Sequence, residues 1–142
     1  MKNRKRGFSL VELLIVLAVI AALIATITPV ALNAIKKSKA TQVAQNLKTL
    51  ASSIENKAYV DGGEKAIGTS TSTVNMTNLA SFVRDLNESE YKAEYIYSGD
   101  GVYTVTITYK GGDVDESLVI GMLQNATTTT DGIEYEFSFS TY

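Results

Sequence analysis

The chain has no cysteine, no histidine and no tryptophan, and only one proline among its 142 residues. Without cysteine there is no disulfide, no thiolate metal site and no thiol nucleophile. Without histidine the commonest general base and the usual charge switch near neutral pH are missing. An exported protein of this kind must hold together by packing or by assembly. Phosphate-cradling and dinucleotide-type glycine motifs are absent too, and no Ser-x-x-Lys nucleophile stands out. No catalytic, cofactor-binding or metal-binding residue is therefore expected, no cofactor either, and the chain does not read as an enzyme. The net charge of −2 and pI of about 5.1 give no global attraction to phosphates, so nucleic-acid binding is not indicated.

What is present suits one modest folded domain with an appendage: 45% hydrophobic and 20% charged residues are ordinary globular values. The charge is unevenly placed. Lys2, Arg4, Lys5 and Arg6 form a basic block, and beyond residue 7 there remain 9 basic against 15 acidic side chains. From Leu13 to Ala25 the chain reads LLIVLAVIAALIA without a polar residue. Extending to Phe8 and Val30 adds only Ser9, Glu12, Thr26, Thr28 and Pro29 as interruptions. About 20 apolar residues in helix cross a bilayer core, so this is a candidate span.

Three readings compete for it. A secretory signal has a basic start, an apolar run and an Ala-x-Ala-like cut, but no two alanines in this region stand at that spacing. A plain signal anchor draws modest support from four basic residues before the run and Lys36, Lys37 and Lys39 after it. It leaves Glu12 unexplained, because a carboxylate within an apolar helix costs roughly 2.5–3.5 kcal/mol on insertion scales. The third reading accounts for both Glu12 and the basic block.

The stretch Gly7-Phe8-Ser9-Leu10-Val11-Glu12 resembles the processing site of the type IV prepilin family. The resemblance is close over about the first 60 residues and architectural beyond them. It implies a dedicated prepilin peptidase that cuts between Gly7 and Phe8, N-methylation of Phe8, and loss of residues 1–7 as a basic leader. Glycine at the cut lets a protease approach the backbone closely. The resemblance also implies a role in assembly for Phe8, Glu12 and Pro29. The new amine of Phe8 and the Glu12 carboxylate would pair within or between subunits. An unpaired buried charge is costly, so such a pair selects register even where its net stabilisation is small. The bland alternative is that Glu12 snorkels to the membrane surface. Pro29 removes one backbone hydrogen bond, so it either kinks the helix or marks a stretch able to unwind.

Past Pro29 the residues Ile35, Val43, Leu47, Leu50 and Ile54 recur at helical spacing with Ala40, Ala44, Ala51 and Ala58 beside them. The pattern predicts one helix over 8–60, with the membrane and assembly segment at 8–30, ending near Tyr59 before Gly62-Gly63. A rod from Phe8 to Tyr59 is about 78 Å long, too long for one core to bury. Its first half needs lipid or sister copies, and its second half needs a head. Coiled-coil dimerisation through the second half is the alternative, although no sustained heptad supports it.

Residues 61–142 are expected to form that head. Residues 61–76 read as a loop and Thr77–Leu86 as a short helix. Strands are expected around Tyr91–Tyr97, Tyr103–Tyr109, Leu118–Leu123 (the most buried) and Ile133–Tyr142, with turns at Ser98–Gly101 and Gly111–Asp113. Alternation puts the odd-numbered side chains of 91–97, 103–109 and 133–139 on one face. That aromatic stripe is expected to be core packed on Val43–Ile54. A ligand-stacking or conductive role is its alternative. The fold class is thus α+β: a long N-terminal helix packed by its second half on a roughly four-stranded antiparallel sheet. This is also the pilin plan, without the C-terminal disulfide many members carry; pairing of the last strand would replace it. Asp113, Asp115 and Glu116 have the density of a weak calcium loop, with a solvated turn as the plainer alternative. Asn75, Asn87 and Asn125 head formal sequons, and 69–73 and 127–130 are Ser/Thr runs that fit exposed loops.

The resemblance implies a structural subunit of a type IV pilus-like extracellular filament, serving adhesion, surface motility or DNA uptake. The implied partners are copies of itself in a helical filament, prepilin peptidase, the pilus assembly machinery in the inner membrane, and membrane lipid before assembly. The precursor would cross the cytoplasmic membrane once, and the mature chain would reach the cell surface. A pseudopilin of a type II secretion or competence system shares the same N-terminus, and an anchored monomeric binding module is the third alternative.

Overall fold

The computed structural model of the chain describes residues 7–84 and 86–141. The leader expected at residues 1–7 therefore lies, but for Gly7, outside the described residues. A helix, α1, runs over Leu10–Asp61. After it come a single-turn helix α2 (Gly63–Ala66), a two-residue strand β1 (Val74–Asn75) and a 3₁₀ turn at Leu79–Ser81. Strands β2 (Tyr91–Gly99) and β3 (Val102–Tyr109) form a hairpin. Helix α3 (Glu116–Met122), strand β4 (Ala126–Thr129) and strand β5 (Gly132–Ser140) complete the chain. Two compact units result, Met1–Lys36 and Lys37–Tyr142.

In the second unit the strands make one antiparallel sheet in the order β1-β2-β3-β5-β4. The expected alternation is realised in the register. Ala93 opposes Ile107, Tyr95 opposes Val105, and across β3 Tyr103 opposes Phe139 and Tyr109 opposes Ile133. These odd-numbered side chains and the α1 residues Val43, Leu47, Leu50 and Ile54 form one core. Leu47, Leu50 and Ile54 are wholly buried. Small alanines at 40, 44, 51 and 58 complete the buried stripe, which lets the helix lie close on the sheet. Burial begins at Ala40, and Ile35 stays 53% exposed. The apolar face of this half is thus spent on the sheet and is not free for coiled-coil pairing.

Tyrosine and phenylalanine rings fill most of the sheet side. Tyr103 stacks on Phe139 at 5.5 Å between centroids, and Tyr91 tilts against Tyr109 at 5.1 Å. Buried hydroxyls need partners, and they have them. Asn46 Nδ2 donates to the Tyr91 hydroxyl at 3.1 Å, while the Tyr109 hydroxyl donates to Asp113 at 2.8 Å. Lys39 from α1 holds the other oxygen of Asp113 at 2.7 Å. Among the described residues no buried side-chain nitrogen or oxygen lacks a partner.

The structure corrects several local expectations. The sheet has five strands, because Val74–Asn75 pairs with Tyr95 and Glu94 and Ala126–Thr129 pairs with Tyr135 through Gly132. Part of each Ser/Thr-rich stretch read as loop is thus drawn to a sheet edge or beside one. Leu118–Leu123, expected as a buried strand, lies in α3 and its C-cap. Asp115 caps this helix by accepting from the Ser117 amide at 3.2 Å. Val119 within the helix and Leu123 at its C-cap are the two that bury. The helix expected at Thr77–Leu86 shrinks to the 3₁₀ turn, although Leu79 is buried and Phe82, Val83 and Leu86 pack on the core. The acidic run at 113–116 does not converge: Asp113 turns to Lys39 and Asp115 caps α3. Among the described residues no three acidic side chains gather.

Two tight turns depend on glycine. The β2–β3 connection has positive φ at both central residues, Asp100 (49°) and Gly101 (76°), the geometry that matches strand twist in a two-residue hairpin. At Gly132 φ is 129°, and a Cβ there would run into the Tyr109 carbonyl. Gly132→Ala is expected to destabilise the head by about 2 kcal/mol or more, through backbone strain plus displacement of β3. Gly112→Ala, facing open space, serves as the near-neutral control. Urea unfolding of the full chain in detergent checks both.

Burial raises the Tyr91, Tyr103 and Tyr109 hydroxyls above the ordinary tyrosine value of 10.0, and the bond to Asp113 raises Tyr109 further. Above pH 10 the unfolded chain releases protons that the folded chain keeps. Stability is then full below about pH 10 and falls as pH rises through the folded values. Tyr109→Phe is expected to flatten that alkaline loss, read as the urea midpoint against pH. Asp113 has the opposite sign. Lys39 and Tyr109 hold it below its ordinary 3.8, so its contribution is present above that value and lost as pH falls.

Candidate processing and assembly site

The first unit is built from the apolar half of α1. Every large apolar side chain from Phe8 to Ile35 is at least 46% exposed, and Phe8 reaches 86%. Its best 18-residue window has a mean hydropathy of 2.9 with none of its surface buried. This is the one helix among the described residues long and apolar enough to cross a membrane, by length and composition.

How that helix begins decides the geometry around Glu12. Ser9 stands just before the first helical residue, and Leu13 donates its amide to the Ser9 carbonyl at 3.3 Å. The Ser9 hydroxyl accepts from the Glu12 amide at 3.2 Å, while the Glu12 carboxylate accepts from the Ser9 amide at 2.8 Å. This reciprocal pair is a capping box, which satisfies two of the amide donors a helix leaves open at its start. The positive end of the helix dipole favours a carboxylate in this turn as well. Sequence reasoning assigned Glu12 and passed over Ser9. The signal was present: Ser-x-x-Glu directly before an apolar run is the sequence form of this cap.

The remaining expected site residues are placed as follows. Gly7 and Phe8 precede the helix in exposed, irregular backbone. Phe8 and Glu12 share one shallow apolar recess with Leu13, Ile15 and Val16. Pro29 lies inside α1, far along the chain from the other three. It has no amide hydrogen to give the Ala25 carbonyl, four residues back. Just before it, the Thr28 hydroxyl donates to the Ile24 carbonyl at 2.7 Å and the Thr26 hydroxyl to the Leu23 carbonyl at 2.9 Å. These threonines hide their polar atoms within the helix, as an apolar surround requires.

An apolar helix with a capped glutamate in its first turn, continuing into an α+β head, is a pilin-like architecture. Residues 2–28 match the family described as the prokaryotic N-terminal methylation motif, so the chain carries the prepilin signature of type IV pilins and pseudopilins. Neither the comparison with curated proteins nor that with solved structures gave a match. The match spans the basic block, Gly7, Phe8, Glu12 and most of the apolar run, and ends one residue before Pro29.

Ser9→Ala is expected to cost the helix start about 1 kcal/mol, the usual loss on removing an N-cap. Faster hydrogen exchange at the amides of Val11, Glu12 and Leu13 in detergent micelles is the readout. Ser9→Asp, which can still cap, should keep that protection.

Proposed function

We propose that this chain is the structural subunit of a type IV pilus-like filament. The observation that carries the reading is the uncovered first half of α1, headed by Glu12 within the methylation motif. Sixteen large apolar side chains left open from Phe8 to Ile35 are stable only in lipid or against other helices. In the precursor they occupy the membrane. In the filament they pack on the same segment of sister copies.

Cleavage after Gly7 places a cationic amine on Phe8. That amine stands one residue before the Ser9 amide on which the Glu12 carboxylate already rests. The capping box thus presents a carboxylate at the helix tip, aimed at the end where the new charge appears. In low dielectric the two attract strongly, and an arriving subunit that misses the register leaves one of them unpaired. Pro29 supplies a point of weak backbone bonding at which the rod can adjust its length during packing. A pseudopilin would use the same N-terminus, and the two differ in whether the chain dominates sheared surface filaments.

Mass spectrometry of the mature chain tests the processing step. The expected form begins at N-methylated Phe8, and an intact Met1 would remove the proposal. Glu12→Ala or Glu12→Leu should leave membrane insertion unchanged and reduce filaments at least tenfold in sheared fractions. Normal filament yield would end the role given to Glu12.

A further inference from the structure

Between Glu12 and Glu55 the sequence contains no acidic residue. Its charged side chains in that interval are Lys36, Lys37, Lys39 and Lys48. Lys39 is held by Asp113. Lys36 and Lys37 are exposed, and their ammonium groups have no partner within the chain among the described residues. They follow directly on Ile35, the last uncovered apolar side chain of the first half of α1.

The spacing has a physical meaning. From Phe8 to Lys36 is 28 residues, or about 42 Å of helix. A bilayer measures about 40–45 Å across when both headgroup layers are included, and about 30 Å across its hydrocarbon. With the Phe8 end in one headgroup layer, Lys36 falls in the other. Glu12 then sits about 6 Å in from its end, at the edge of the hydrocarbon rather than deep within it. That position suits a carboxylate already bonded to a backbone amide. At the opposite edge two adjacent, unpartnered ammonium groups meet a layer of phosphates. Basic side chains just beyond a membrane span are drawn to anionic lipid.

We infer that Lys36 and Lys37 bind the phosphates of anionic phospholipids in the headgroup layer opposite Phe8, and so fix the depth of the unassembled chain in the membrane. The inference rests on the reading that the first half of α1 resides in lipid before assembly. A neighbour's carboxylates could satisfy the same two cations, because the head is acidic. Lipid is the favoured partner because the match of lengths is to a bilayer.

The absence of cysteine makes the test clean. Full-length chain carrying Ala34→Cys with a spin label is placed in vesicles of mixed phosphatidylglycerol and phosphatidylcholine at low protein density. Depth is read from the relative access of oxygen and a water-soluble nickel complex. The label is expected at the headgroup boundary. Adding Lys36→Gln and Lys37→Gln should move it inward by about one helical turn, roughly 5 Å, and Lys36→Arg with Lys37→Arg should leave it in place. An inserted chain whose depth ignores the glutamine changes overturns the inference alone. So does a lysine effect of equal size in phosphatidylcholine alone, or one that emerges only as protein density is raised, which would assign the cations to a second copy. A chain that fails to insert, its label as open to the nickel complex as in free solution, removes the membrane reading along with it.

Discussion

Sixteen large apolar side chains between Phe8 and Ile35 stand open to the surroundings. Burying one such side chain stabilises by roughly 1.5–3 kcal/mol, so leaving them all in water is not a stable option for a folded protein. This one imbalance demands an apolar environment supplied from outside the chain. It makes sense of the polar atoms found in the segment. Thr26 and Thr28 bond to carbonyls of the preceding turn, and Glu12 bonds to the Ser9 amide. Each has its partner within the helix start or the preceding turn, as an apolar environment without water requires.

The same helix solves a different problem in its second half. Val43, Leu47, Leu50 and Ile54 lie under a sheet whose odd-numbered face is largely aromatic. With no cysteine to staple the head, its integrity rests on that packing and on a few cross-element polar contacts. Lys39–Asp113–Tyr109 and Asn46–Tyr91 tie α1 to the sheet and the loop beyond it. Strand β5 lies between β3 and β4, so its residues 133–135 are paired on both sides and 136–140 are paired to β3. The backbone of Thr141 adds a further bond, donating to the Gly101 carbonyl at 2.8 Å.

The N-terminal motif was legible in the residues because it is local. A glycine–phenylalanine junction, a glutamate at fixed spacing and an unbroken apolar run need no tertiary partner to be recognised. The long helix and the three main strands were legible for a related reason: their apolar periods of 3.6 and 2 persist over many residues. The reading failed where segments were short. LVIGML is apolar enough for a buried strand, yet Asp115 and Ser117 start a helix whose Val119, with Leu123 at its C-cap, reaches the core. ATTT has no apolar stripe, and it is a strand because β5 offers it an unpaired edge. The capping box at Ser9 was visible in principle, and attention to the charge of Glu12 obscured its hydrogen bond.

The sequence by itself determined that the N-terminal segment is an apolar helix bearing one carboxylate near its start, and that a sheet with an aromatic face follows. Composition and period carry that much, since each depends only on neighbours along the chain. Tertiary structure alone decided which short segments join the sheet, and that Asp113 pairs with Lys39 and Tyr109. Those outcomes depend on which groups lie within about 3 Å in space, and spacing along the chain does not encode that distance.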